Sequence, residues 1–272
     1  MSDSRFEPRA YWENRLRAHP NIHGVGYLNL GQAYNTWLYR VRAAVFDAVV
    51  NSTSVRIPTA SILDAGSGTG FYLDRWLGLG ATDVRGLDLT TVSTSLLRAR
   101  FPQLPIHTVD LGSEMALEEL GLAPATVDLV SCMDVLFHIV DDQRYKQALA
   151  NISTLLRTGG YLILSDNFLH GPEVRLEHHV SRSLVTVTAM LEGAGFEIIR
   201  RRPMLYLMNA PVDSNSRRLA RWEGMIRRLT AREPLGWLTG ALMYPLERIL
   251  VATCNESPST EILLCRRVGH PS

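Results

Sequence analysis

The stretch Ser61-Ile62-Leu63-Asp64-Ala65-Gly66-Ser67-Gly68-Thr69-Gly70 decides the fold. A short apolar run stops at a glycine-rich turn, and Phe71 to Leu79 then continues with helical spacing before Gly80. Glycines let a backbone turn tightly and approach a ligand without a Cβ clash. The helix that opens there offers unpaired N–H groups to electron-rich groups. The dinucleotide fingerprint G-x-G-x-x-G is not met: the third glycine comes one residue early, and position 71 is Phe. A P-loop is excluded because no Gly-Lys-Ser/Thr follows. The turn therefore suits a nucleoside ligand smaller than a dinucleotide.

Downstream, short β-rich runs alternate with helical patterns. Strands are expected at Val84 to Leu89, Ile106 to Val109, Val127 to Met133, Tyr161 to Leu164, Phe196 to Ile199 and Glu261 to Arg266. Helices are expected at Thr90 to Phe101, Asp141 to Arg157 and Ser181 to Ala194. In the second of these, Tyr145, Ala148, Leu149, Ile152, Leu155 and Leu156 share one face, and Gly159 stands where a left-handed C′ residue belongs. Such alternation predicts an α/β fold: a doubly wound, mostly parallel sheet of seven strands covered on both faces. Parallel strands present their C-terminal ends together. Asp88, about twenty residues after the glycine turn, then stands where a ribose diol is held, and Asp110 ends the next strand in the same crevice.

These residues resemble the class I S-adenosylmethionine-dependent methyltransferases. The likeness rests on Ile-Leu-Asp64-Ala-Gly66-Ser-Gly68-Thr-Gly70, Gly-Leu-Asp88, Val-Asp110-Leu, Val127-Asp128-Leu-Val with Met133-Asp134-Val, and Leu156-Arg-Thr-Gly159-Gly160-Tyr-Leu-Ile. It covers roughly residues 60 to 200 and says little about the substrate. It implies a Rossmann-like core that binds S-adenosylmethionine and releases S-adenosylhomocysteine. By that resemblance Asp64, Ala65, Gly66, Ser67, Gly68 and Gly70 would line the methionine and ribose portion. Asp88 would hold both ribose hydroxyls, with Leu89 on the adenine, while Asp110 would accept from the adenine amino group beside Leu111. Asp134 would lie near the methionine amino group or the transferred methyl. N-terminal helices often fold over the cofactor in this family, so Tyr34 or Arg40 would meet the methionine carboxylate, with Trp37, Val41 and Val45 as a core stripe.

His138 follows the fourth strand, at the edge of the sheet where the ligand would sit. A histidine there can take a proton from a hydroxyl or amine, which makes His138, with Asp134, the expected catalytic pair. Ser165-Asp166-Asn167, with Asp134 one strand over, resembles the metal triad of catechol-type O-methyltransferases, an oxygen donor set that would suit Mg²⁺. Turn capping is the commoner role of Asp and Asn, so no metal site is assigned and Mg²⁺ is the lesser alternative.

The 272 residues carry 28 Lys+Arg against 27 Asp+Glu, a formal charge of +1, with 46% hydrophobic residues. Such balance argues against a nucleic-acid binder. Cys132, Cys254 and Cys265 form no C-x-x-C, which suits a reducing compartment. Asp3 and Glu7, without an apolar core, do not read as a signal peptide, and Pro234 to Leu246 is too short to span a bilayer. A cytoplasmic protein without stable membrane insertion is expected.

Four segments follow: an N-terminal helical lid (1–55), the S-adenosylmethionine-binding core (56–203), a helical cap insert (204–258) and a final core strand (259–272). In the insert, Leu219, Trp222, Ile226 and Leu229 share a face while Arg217, Arg218, Arg221, Arg227 and Arg228 crowd the others. It reads as a substrate cap or as a cationic helix for a membrane surface, the latter opposed by Pro245 and Glu247 interrupting the apolar side. The expected activity is in-line methylation of a small organic acceptor at oxygen. A macromolecular or lipid-linked acceptor and a non-catalytic S-adenosylmethionine binder are the alternatives, and a homodimer is left open.

Overall fold

A computed structural model describes residues 6–269. Asp3 and the outermost residues of the first and last expected segments lie outside this range. The strands and helices run α1 (Pro8–Ala18), α2 (Ile22–Val25), α3 (Gln32–Val50), β1 (Ser61–Ala65), α4 (Phe71–Gly78), β2 (Asp83–Asp88), α5 (Thr91–Arg100), β3 (Ile106–Thr108), α6 (Ala116–Leu120), β4 (Val127–Met133), α7 (Asp142–Leu155) and β5 (Leu156–Asp166). A small hairpin follows, β6 (Val174–Arg175) and β7 (Val180–Ser181). The chain continues through α8 (Leu184–Gly193), β8 (Phe196–Pro203), α9 (Arg217–Thr230), α10 (Glu233–Thr253) and β9 (Glu261–Arg267).

One seven-stranded sheet organises these elements in the order β3-β2-β1-β4-β5-β9-β8. Pairing is parallel from β3 to β5, and β9 runs antiparallel to both its neighbours. The apolar runs are continuous rather than alternating because both faces are covered; every residue of β4 is buried. One layer packs Phe46, Trp76 and Leu97 from α3, α4 and α5, together with Met243 and Val251 of α10. The other packs Leu120, Tyr145, Leu149, Val187 and Leu191 from α6, α7 and α8. The strand order reverses at the β1/β4 pair, and at such a switch point the loops after two neighbouring strands diverge and leave a crevice.

Several expected boundaries move: β5 starts at Leu156 and ends at Asp166, β8 runs on to Pro203, and two helix ends shift. Helix α7 ends at Leu155, and Gly159 does not close it. Instead the pairing of β4 with β5 jumps from Val127↔Leu156 to Leu129↔Tyr161, so Arg157 to Gly160 bulge out of the ladder with Gly159 at φ +83°. Ser181 belongs to β7, and Ser183 caps α8 by accepting from Thr186 N–H. The stretch between β8 and β9 is indeed helical. Its second helix packs along α3, where Glu233 accepts from the N–H groups of Gln32 and Ala33 at 2.9 and 2.7 Å and so caps the start of α3.

Candidate active site

A cavity of about 440 Å³ opens at the switch point, within the size range of small-ligand sites. Its floor is the turn after β1: Gly66, Ser67, Gly68 and Thr69. Gly66 and Gly68 have φ of +75° and +53°. A Cβ on Gly66 would stand 2.3 Å from Val135 Cγ2, and one on Gly68 3.0 Å from Val25 Cγ1, so neither glycine position leaves comfortable room for a side chain. The next strand ends supply Asp88, Leu89, Asp110 and Leu111, and the loop after β4 supplies Asp134 and His138. Phe6, Trp12 and Leu16 from the α1 region and Val25 from α2 roof the space, and Tyr39, Phe71 and Tyr72 line it as well.

The carboxylates are held individually. Asp88 Oδ2 accepts from Gly68 N–H at 2.9 Å, while Oδ1 accepts from both the N–H and hydroxyl of Thr90 at 2.9 Å. Burial pushes its pKa up, and those hydrogen bonds work against the shift. Asp110 Oδ1 accepts from Gly112 N–H at 3.0 Å, and its other oxygen pairs with Arg144. Asp64 lies beneath the turn rather than on the cavity wall. Trp76 Nε1–H donates to Ser131 Oγ at 2.9 Å, and the Ser131 hydroxyl donates to Asp64 Oδ1 at 2.5 Å. Asp64 Oδ2 is buried without a hydrogen-bond partner, and burial lifts this carboxyl to about 6. An orphaned carboxylate oxygen beside the turn suits a cationic ligand group. Ala65 and Gly70 also support the turn from outside the lining. A Cβ on Gly70 would meet Phe101 and Leu97 at 2.6 and 2.8 Å.

Tyr34 departs from expectation. It is fully buried, its hydroxyl donates to the Met208 carbonyl at 3.0 Å, and it does not line the cavity. Arg40 also faces away, stacked over Trp37 at 4.1 Å. The cation that α3 turns inward is Arg42, 9% exposed, which pairs with Asp134. Burial opposes its charge, but Asp134, Tyr72 and Tyr39 together outweigh this and raise the guanidinium's pKa. Arg42 follows Leu38 and precedes Val45 on the buried stripe of α3, so the helix phase was its only sequence signal. Asp134, at φ +57°, also accepts from the Ser165 hydroxyl at 2.8 Å. Both of its oxygens are thus engaged, Oδ2 by Arg42 and Oδ1 by Ser165, so it is not the free base that was expected.

His138 is better placed for proton transfer. Its Nδ1 lies 2.9 Å from the His178 carbonyl oxygen, which can only accept, so Nδ1 carries the proton and Nε2 keeps its lone pair. Trp12 packs edge-on against the ring at 4.7 Å. Burial drives the imidazole down to about 3, so it is neutral near pH 7. The oxygen donor triad does not assemble. Asp134 is taken by Arg42, Asp166 Oδ1 accepts from Asn167 N–H at 2.6 Å, and Asn167 Oδ1 accepts from Thr260 at 3.3 Å. No cluster of three His, Cys, Asp or Glu suited to a metal occurs among the described residues. The expected substrate cap is also corrected: no residue of 204–258 lines the cavity, because α10 is packed along α3.

Residues 62–160 match the family described as a methyltransferase domain. That span is a methyltransferase domain. The matched span runs from β1 through the bulge of β5 and so contains the turn, Asp88, Asp110, Asp134 and His138. Over 110 residues this domain is 34% identical to the ubiquinone biosynthesis O-methyltransferase of Cupriavidus pinatubonensis, covering 38% of this chain and 40% of that one. Over 117 residues it is 34% identical to the tRNA U34 carboxymethyltransferase of Shewanella woodyi, covering 42% and 33%. The chain thus spans less than half the length of these relatives. The magnesium protoporphyrin IX methyltransferase of Synechocystis PCC 6803, a structure with bound S-adenosylmethionine, superposes with a TM-score of 0.56 at 15% identity, covering 98% of this chain and 100% of that one. That likeness extends the shared fold of the methyltransferase domain to the helices outside the matched span.

Proposed function

We propose that this protein uses S-adenosylmethionine to methylate a small organic acceptor at oxygen. The observation that carries the reading is a single roofed cavity. Its floor is the glycine-rich turn over Asp64, its wall carries Asp88 and Asp110, and it ends at His138, whose Nε2 is unprotonated. The lining fits the cofactor: Asp88 for a ribose diol, Asp110 for an adenine amine, and Leu89 and Leu111 for the base faces, with the buried carboxyl of Asp64 behind the turn. When bound, the cofactor supplies an activated methyl and its own leaving group, so the hard chemistry is not the protein's.

The chain's residues then hold, cover and deprotonate. Trp12, Leu16 and Val25 close the roof and exclude water. The Arg42 pair holds the Asp134 side chain in place at the end of β4. His138 Nε2 accepts the acceptor's hydroxyl proton while Nδ1–H stays on the His178 carbonyl, which holds the ring in one tautomer. Most of the rate gain on this reading is proximity and orientation. The similar relatives are named for ubiquinone biosynthesis on one side and for a tRNA on the other, so they support both a small acceptor and a tRNA. The covered cavity and the net charge of +1 favour the small one.

Incubation with methyl-labelled S-adenosylmethionine and fractionated metabolite pools, with and without chelator, tests the proposal. Label in a small, chelator-insensitive product is expected. Cofactor binding with no label in any fraction would leave a non-catalytic binder, and label only in RNA would make the tRNA-type acceptor the correct one.

A further inference from the structure

The outer face of α10 is a surface that the methyl-transfer reading does not use. Its buried side is the series Gly236, Gly240, Met243, Glu247 and Val251. Opposite, at the same three- and four-residue spacing, stand Leu235, Leu238, Leu242, Leu246 and Ile249, all solvent-exposed; Leu242 is 72% and Ile249 59% exposed. Trp237, beside them, is 54% exposed. A helix apolar on every side is ordinarily buried on every side, and a contiguous exposed stripe of this kind marks an interaction surface. Pro245 and Glu247 do not break it. Pro245 is itself apolar, and Glu247 turns inward, accepting from the N–H groups of Tyr206 and Leu207.

Helix α9 packs against α10. Its exposed side carries Arg217, Arg221 and Arg228 with Met225 among them, and none of these arginines forms an ion pair among the described residues. We propose that the α10 stripe, flanked by the α9 arginines, rests on the surface of an anionic phospholipid bilayer. The stripe's leucines and Ile249 would enter the headgroup–acyl boundary while the arginines meet lipid phosphates. Charge complementarity selects this occupant over a second copy of the chain. A two-fold contact across the stripe would bring two unpaired arginine sets together, whereas an anionic surface neutralises one set. The docking is peripheral, since no described helix is long and apolar enough to cross a membrane.

Co-sedimentation of the full chain with phosphatidylcholine vesicles, with and without phosphatidylglycerol, tests this without any turnover, so its failure is separate from failure of the methyl-transfer proposal. Binding is expected to the anionic vesicles only, and to weaken as salt is added. Leu242→Glu with Ile249→Glu should abolish it, and Arg221→Gln with Arg228→Gln should weaken it by about fivefold per arginine. Because all four side chains are exposed, melting temperatures should not move; should the glutamate variant misfold, the arginine variant and the salt titration still decide. Three results would overturn the proposal: no binding to anionic vesicles, binding unchanged in both folded variants, or a solution dimer that Leu242→Glu dissociates.

Discussion

Arg42 and Asp134 differ from the other site residues in that neither takes its role from its own neighbourhood in sequence. One sits on α3, the other 92 positions later after β4, and their pairing is a contact between layers. Asp88 is the opposite case, for the carboxylate ends a strand two residues before the Thr90 cap it accepts from. Asp88→Ala should weaken S-adenosylhomocysteine binding by roughly tenfold or more, about 1.4 kcal/mol, as read by calorimetry. Asp88→Asn, which keeps an acceptor for the loop N–H groups, separates loss of ligand contact from loss of turn order. Unchanged affinity in both variants would remove Asp88 from the site. His138 carries a pH signature. Folded, it resists protonation down to about 3, whereas the unfolded chain takes up that proton near 6.5. The unfolded state therefore binds more protons in that interval, so the contribution of His138 to stability is complete above about 6.5 and lost progressively as pH falls towards 3. His138→Gln should flatten that acid-side slope in a series of melting curves, and it should lower kcat more than it raises KM. A variant whose slope matches wild type would contradict the neutral, buried imidazole.

Helices α3 and α10 show what an element can and cannot announce. The periodicity of α3 was legible in part: of the expected stripe Trp37, Val41 and Val45, the two valines are buried while Trp37 is half-buried and Leu38 takes its place. Choosing Tyr34 and Arg40 rather than Arg42 as the inward polar group needed the exact phase and the identity of the neighbour. Tyr34 does face inward, but towards the Met208 carbonyl in the core and not towards the cavity. For α10 the helical pattern was equally clear, yet which side faced the protein depended on the close approach at Gly240. A Cβ there would stand 2.4 Å from Trp37 Cδ1. Gly240→Val should thus separate α10 from α3 and destabilise the chain by about 1–3 kcal/mol, measured as a lower urea midpoint at constant slope. Glu233→Ala, which uncaps α3, should cost about 1 kcal/mol by the same measure.

Across the whole molecule the fold places the ligand crevice and the apolar α10 stripe on different elements. The first is roofed by α1 and α2, and the second belongs to the insert. On adding S-adenosylhomocysteine, amide exchange should slow across residues 8–25 and the turn after β1, with α9 and α10 unchanged; protection confined to the insert would mean that the crevice is not the site. The sequence by itself determined the alternating elements, the seven-stranded sheet, the glycine turn and the carboxylates at the ends of β2 and β3. Those features arise from local spacing, from backbone freedom at Gly66 and Gly68, and from parallel strands presenting one end together. Only the tertiary structure decided that Arg42 neutralises Asp134, that Arg144 holds Asp110, and that His138 keeps Nε2 free by donating to the His178 carbonyl. It also decided that α1, not the insert, covers the cavity. These are contacts between segments far apart in the chain, and local spacing carries no record of which side chain lies across a layer.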